Sequence, residues 1–202
     1  MQAGRTTYGH RFLSKKPIIL TQPAGYVETM RKNYVLVDVQ ERKKEIWRQV
    51  GEIAQAAGGS VEEDIDLLNE ITNLVEYPTA LIGEFNADYL KLPKEVLVTS
   101  MREHQRYFPV VDEKGQLLAK FIAVKNGAAD HLDIIRAGNE KVLRARLADA
   151  DFFYQEDLKT PLVEKVLELR KVVFQEKLGT VYDKTVRVGE IAAYLAGVLG
   201  RR

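Results

Sequence analysis

Near residue 127 the apolar pattern of this chain changes period, and that change limits its fold more than any other feature. Before it, short β-rich runs alternate with helical spacings. Tyr34-Val35-Leu36-Val37 predicts a strand, after which Ile46, Val50, Ile53, Ala54 and Ala57 recur at helical spacing until Gly58-Gly59 stops them. A second helix, from about Asp64 to Val75, puts Ile65, Leu68, Ile71 and Val75 on one face, and Tyr77-Pro78 ends it. Ala80-Leu81-Ile82 predicts a strand and Pro93 to Met101 a short helix. Tyr107 to Val111 and Leu117 to Val124 predict two further strands. Asp112-Glu113-Lys114-Gly115 between them reads as a hairpin turn, since glycine accepts the positive φ such turns require. Residues 1–22 read as a basic loop with one strand around Ile18-Ile19-Leu20.

From Asp130 onward only helical spacing is found. Leu132, Ile135, Val142, Leu143, Leu147, Ala150 and Phe153 share roughly a third of the helical circumference at about 100° per residue. Thr160-Pro161 reads as an N-cap with proline at the first helical position, opening a helix with Leu162, Val166, Leu169 and Val173 on one face and Gly179 at its close. A last helix from about Lys184 uses Val188, Ile191, Leu195 and Val198. The expected architecture is therefore an α+β domain over residues 1–127 followed by an all-helical segment over 128–202, with one long helix bridging Gly127 to Leu158. The final helix has few apolar partners left in the chain, so more polypeptide is expected to follow it.

A chain of 202 residues with 46% hydrophobic content can bury a core. Lys and Arg total 30 against 29 acidic residues, and a net charge of +1 supplies no global field, so any RNA contact must come from a local patch. Cysteine is absent, which excludes disulfides, a thiolate zinc site and a Cys nucleophile. A reducing cytoplasm fits that absence, and a cytoplasmic location is expected; no apolar run approaches the roughly 18 residues that span a bilayer, so a soluble protein without membrane partners is expected. His10, His104 and His131 form no metal-ligand pair; His131-Leu132-Asp133 reads as a solvated helix start with Asp133 near the positive end of the dipole. Dinucleotide and phosphate-loop glycine patterns are both missing. Ser14, Ser60 and Ser100, the only serines, lie in no nucleophile elbow.

Three stretches remain as candidates for contact with RNA. In Met101 to Pro109, residues Arg102, His104, Gln105 and Arg106 combine charge for phosphates with planar donors for base edges, beside the rings of Tyr107 and Phe108. Its structural reading is a helix-to-strand junction with solvated charges and core aromatics. In Arg144 to Phe153, Arg146 falls inside the apolar arc and Arg144 lies about 200° away, so Arg146 is expected to be buried against a carboxylate and Arg144 exposed. The third stretch is the N-terminal set Arg5, His10, Arg11, Lys15 and Lys16, which reads most simply as a solvated charge run.

Four segments in order carry a resemblance: Ala3 to Phe12, Leu97 to Pro109, Phe121 to Gly127, and Gly138 to Phe153. Together they resemble the beta subunit of bacterial heterotetrameric (alpha2beta2) glycyl-tRNA synthetase, over most of positions 3–182 and in a middle portion of that subunit. The resemblance implies that the alpha subunit activates glycine with ATP and magnesium, that the beta subunit is concerned chiefly with tRNA, and that this fragment needs no cofactor. It implies a B3/B4-like mixed domain, related to a module of phenylalanyl-tRNA synthetase, followed by the beginning of an HD-like helical domain. None of the three histidines is followed by Asp, so the metal signature that names HD domains is missing. Implied partners are the alpha subunit, tRNA-Gly and the remainder of the beta subunit. The expected role is non-catalytic tRNA binding and scaffolding through Arg102, His104, Gln105, Arg106, Lys125 and Asn126. The alternative is hydrolytic proofreading of mischarged tRNA, which glycine makes less necessary because larger amino acids can be excluded by size at the synthetic site.

Overall fold

The computed structural model describes residues 4–200. It begins with an antiparallel hairpin, β1 (Thr6–Tyr8) and β2 (Pro17–Ile19), followed by the 3-10 turn Pro23–Gly25 and α1 (Tyr26–Lys32). Then come α2 (Val39–Ala56), α3 (Ile65–Leu74), β3 (Pro78–Glu84), the 3-10 turn Ala87–Lys91 and α4 (Lys94–Gln105). The hairpin β4 (Phe108–Val111) and β5 (Leu117–Asn126) leads into α5 (Leu132–Leu158). Beyond it lie α6 (Leu162–Glu168), a 3-10 turn Leu169–Lys171, the hairpin β6 (Val173–Gln175) and β7 (Gly179–Thr180), and α7 (Val181–Val198). The fold is thus mixed α+β with a mainly helical C-terminal part. It divides into two compact units between Asp151 and Phe152, within α5.

In the first unit a three-stranded antiparallel sheet, order β3-β5-β4, is buried on both faces. Ile46, Val50 and Ala54 of α2 and Leu67, Leu68 and Ile71 of α3 pack with Ala80, Phe108, Val110 and Ile122 in the main core. Burying each such side chain contributes about 1.5–3 kcal/mol. The alternate strand residues Leu81, Phe121 and Ala123 are buried as well, as are Leu143 and Leu147 of α5. Asp side chains start both core helices: Asp38 accepts from Glu41 N and Asp64 from Leu67 N, each at 2.9 Å, satisfying N–H groups that the helix leaves unpaired. The turn after β4 closes as expected, with Gly115 at φ 74° and Asp112 Oδ1 accepting from Lys114 N and Gln116 N.

Several expectations fail for want of a non-local partner. Tyr34 to Val37 is not a strand: Tyr34 turns the chain at φ 61°, and Leu36 N bonds Glu76 O as an isolated extended link. Ile65 is 55% exposed, because Leu67 and Thr72 share the inner face of α3 with Leu68 and Ile71. The helical run after Thr160 ends at Glu168, and the β-branched pair Val172-Val173 enters the β6–β7 hairpin, closed by Gly179 at φ 85°. The C-terminal part is therefore not all-helical. Pro161, not Thr160, occupies the N-cap of α6, and α7 opens three residues before Lys184 on a capping box of Thr180 and Asp183.

Arg146 is exposed, contrary to the expected buried ion pair, and no carboxylate holds it among the described residues; Arg144 is exposed too. The inward stripe of α5 runs through the half-buried Leu132, Ile135 and Asn139 and then the buried Leu143 and Leu147. At about 100° per residue its centre turns roughly 70° around the helix, leaving Arg146 some 80° from it. A fixed arc on a straight helix misses that drift.

Candidate nucleic-acid interface

Leu97 and Met101 bury one side of α4, which leaves Arg102, Glu103 and His104 toward solvent. The helix stops because Arg106 takes the left-handed conformation, φ 55° and ψ 43°. Its N–H then bonds Arg102 O at 3.2 Å and Tyr107 N bonds Met101 O at 3.1 Å, which satisfies carbonyls the helix end would leave open. The turn drops Tyr107 into the interior, where its ring stacks on Phe121 at 4.5 Å between centroids. Burial pushes the Tyr107 phenol up to about 12.

Both arginines reach back to α3. Arg102 Nε lies 2.8 Å from Asp64 Oδ2, the carboxylate that caps that helix, and Arg106 Nε donates to Glu70 Oε1 at 2.7 Å. At the end of β5, Lys125 Nζ donates to Asp130 Oδ1 at 2.9 Å and to Asp130 O at 3.0 Å. That hydrogen bond, more than the charge itself, holds the Asp130 carboxyl below the usual carboxylate range. Asn126 Oδ1 accepts from Glu76 N at 2.9 Å and Tyr77 N at 3.0 Å, tying the end of β5 to the start of β3. His104 is exposed and Gln105 half-buried.

The six residues do not form one patch. Gln105, Arg106 and Lys125 border a single cavity of about 300 Å³, whose wall also includes Tyr107, Ala123 and Asn139. Arg102 borders a different cavity, of about 440 Å³, among Glu62, Glu63, Asp64 and Asp66. That acidic wall repels phosphate. Asn139 is not among the residues singled out from the sequence, although a polar residue four positions from both Ile135 and Leu143 on an apolar face is a readable signal. A third cavity, of about 670 Å³, is bordered by Arg31 and Arg48, both paired with carboxylates: Arg31 with Glu41, and Arg48 with Glu45 and Glu52. Among the described residues no group of three or more His, Asp or Glu side chains is placed to hold a metal ion, and no helix is long and apolar enough to cross a membrane.

The family described as glycyl-tRNA synthetase beta subunit matches residues 1–201. The chain belongs to that family. A glycine--tRNA ligase beta subunit of Desulforamulus reducens is 60% identical over 99% of this chain, and one of Moorella thermoacetica is 54% identical over 98%. A third, from Clostridioides difficile strain 630, is 52% identical over 98% of the chain. In each case the match spans 29% of the relative's length. This chain therefore corresponds to less than a third of a glycyl-tRNA synthetase beta subunit.

Proposed function

We propose that this portion of the beta subunit contacts tRNA-Gly and braces the subunit, with no catalytic site of its own. It thereby supports ATP-dependent attachment of glycine by a cytoplasmic alpha2beta2 enzyme whose ATP and magnesium are held in the alpha subunit. The observation that carries the reading is the convergence of Gln105, Arg106 and Lys125, from a helix end and a strand end, on one cavity. The Arg106–Glu70 pair is 45% exposed on both sides. A pair that open holds with at most about 1 kcal/mol, so a phosphate can displace Glu70 at little cost. His104 stands exposed beside it. In this reading Arg102 and Asn126 set the position of the contact, through Asp64 and through the Glu76 and Tyr77 amides.

The test is Arg106→Ala and Lys125→Ala in the alpha–beta complex, each measured for tRNA-Gly affinity across a salt series and for melting temperature. Each lost phosphate contact lowers the slope of log affinity against log salt by roughly 0.7 to 1. Unchanged binding with a lower melting temperature would make the stretch structural only. A proofreading role draws on the polar part of the same cavity wall, Gln105 and Asn139. It requires that the complex deacylate alanyl-tRNA-Gly and that Asn139→Ala abolish this.

A further inference from the structure

Lys94 and Arg102 of α4 and Lys125 of β5 are each engaged by a carboxylate, whereas the basic side chains near the N-terminus are not. No Asp or Glu precedes Glu28 in the sequence. Arg5, Arg11, Lys15 and Lys16 are exposed, and none has an ion-pair partner among the described residues. In a chain with 29 acidic residues, four unpaired cations within twelve positions form a local positive field that the net charge of +1 conceals.

Aromatic rings stand among these cations. The register pairs Thr6 with Ile19 and Tyr8 with Pro17, so these four side chains share one face of the β1–β2 hairpin while Thr7 and Ile18 take the other. Tyr8 is 65% exposed and Ile19 75%, and Phe12 in the connecting loop is 72% exposed. The Arg11 guanidinium carbon lies 5.8 Å from the Phe12 ring centroid. Large apolar groups left in water cost stability, and here they sit on a hairpin whose connecting loop is firmly held.

Asn33, at the end of α1, does the holding. His10 N donates to Asn33 O at 2.9 Å, Ser14 Oγ donates to Asn33 Oδ1 at 2.8 Å, and Asn33 Nδ2 donates to Thr29 O at 2.8 Å. Gly9 lies so close that a Cβ there would come within 2.6 Å of Asn33 O. His10 is buried, so the side chains that follow it, Arg11 and Phe12, are turned outward. Beside the hairpin, Arg5, Gln22 and Tyr26 border a groove of about 410 Å³ with Leu20 and Pro23.

We propose that this hairpin and groove form a binding site for a single-stranded stretch of RNA. Arg5, Arg11, Lys15 and Lys16 would meet phosphates, Tyr8, Phe12 and Tyr26 would stack on unpaired bases, and the Gln22 amide would face a base edge. Cations interleaved with exposed rings match the alternation of phosphate and base in a single strand, and every base offers a face for stacking. An acidic protein surface would satisfy the cations but leave the rings unused. The site rests on the reading that this portion touches RNA, and adds a surface distinct from the cavity beside α4.

The test uses the full-length subunit in its complex with the alpha subunit. Binding of labelled tRNA-Gly and of a ten-nucleotide oligouridine is measured across a salt series, with melting temperature and complex assembly followed in parallel. The variants are Arg11→Gln/Lys15→Gln/Lys16→Gln, Phe12→Leu and Arg106→Ala. The triple variant is expected to lower the salt slope for oligouridine by about 2, at roughly 0.7 per phosphate. Phe12→Leu is expected to weaken binding about tenfold with the slope unchanged, since a lost stacking contact releases no counterion. Both should melt with the parent, because the altered side chains are exposed. If the triple variant binds both RNAs as the parent does while Arg106→Ala weakens tRNA binding, this site is refuted and the contact beside α4 stands. If neither matters, this portion touches no RNA and both readings fall. If the triple variant loses the alpha subunit instead of RNA, the surface docks protein and the proposal is overturned.

Discussion

Gly83 sits in β3 directly opposite Phe121 of β5, and a single methyl group there tests how tightly the second face of the sheet is packed. A Cβ built on Gly83 would lie 2.4 Å from Phe121 Cζ, 2.8 Å from Cε1 and 3.0 Å from Cε2. Carbon atoms in contact rest at about 3.5–4.0 Å, so the ring would have to withdraw by about 1 Å. It has nowhere to go: Phe121 is fully buried, and Tyr107 stacks on it with an interplanar angle of 18°. Overfilling a packed core costs about 1–3 kcal/mol net of the buried methyl, and a ring blocked by a second ring places Gly83→Ala in the upper half of that range. For a unit of this size each kcal/mol shifts Tm by about 2–4 °C, which gives a fall of about 4–12 °C. Urea unfolding followed by Trp47 fluorescence reads this unit directly, because Trp47 is the only tryptophan and its ring lies 6.3 Å from that of Phe108 in the main core. Adding Phe121→Leu should recover part of the loss, with a coupling of at least about 1 kcal/mol. A Gly83→Ala protein within about 0.5 kcal/mol of the parent, or a strictly additive double variant, would show that the ring has room and that the packing argument is wrong.

Two titrations follow from the same unit. Tyr107 should ionise near 12, above the ordinary phenol value of 10, so ultraviolet titration should show a late step that Tyr107→Phe removes. The sign follows from burial favouring the neutral phenol: this contribution to stability is complete below 10 and declines as pH rises toward 12. For Asp130 the direction reverses. Its carboxyl should titrate below 3.8 by NMR, and Lys125→Met should return it to the ordinary range; the stabilisation is present above 3.8 and lost as pH falls through the lowered value. An Asp130 curve unmoved by Lys125→Met would remove the hydrogen bond as its cause.

Reasoning about function from sequence singled out the end of α4 without its setting. The stretch from Arg102 to Arg106 is where polar groups meet a cavity, yet nothing within those residues says that Arg102 faces Asp64, 38 positions earlier, or that Arg106 faces Glu70. The N-terminal basic residues read as an ordinary solvated run, because a sequence does not show that their neighbours in space lack carboxylates. Ion pairing is decided by which elements come together, and composition is silent on that.

What the sequence determined by itself was local: α2, α3, β3, α4, the β4–β5 hairpin and α5 follow from apolar period, Asp caps and stop residues lying within each segment. The four segments from Ala3 to Phe153 were enough to place the chain in its family. Tertiary structure alone decided the rest. Tyr34 to Val37 had β-rich residues and no partner strand, while β1, with no apolar run of its own, gained one in β2. Arg146 lay in the expected arc of α5 but to one side of an inward stripe that turns around the helix along its length. A strand needs a second strand, and a buried face needs something to cover it; both conditions are met between distant residues, beyond the reach of any local pattern.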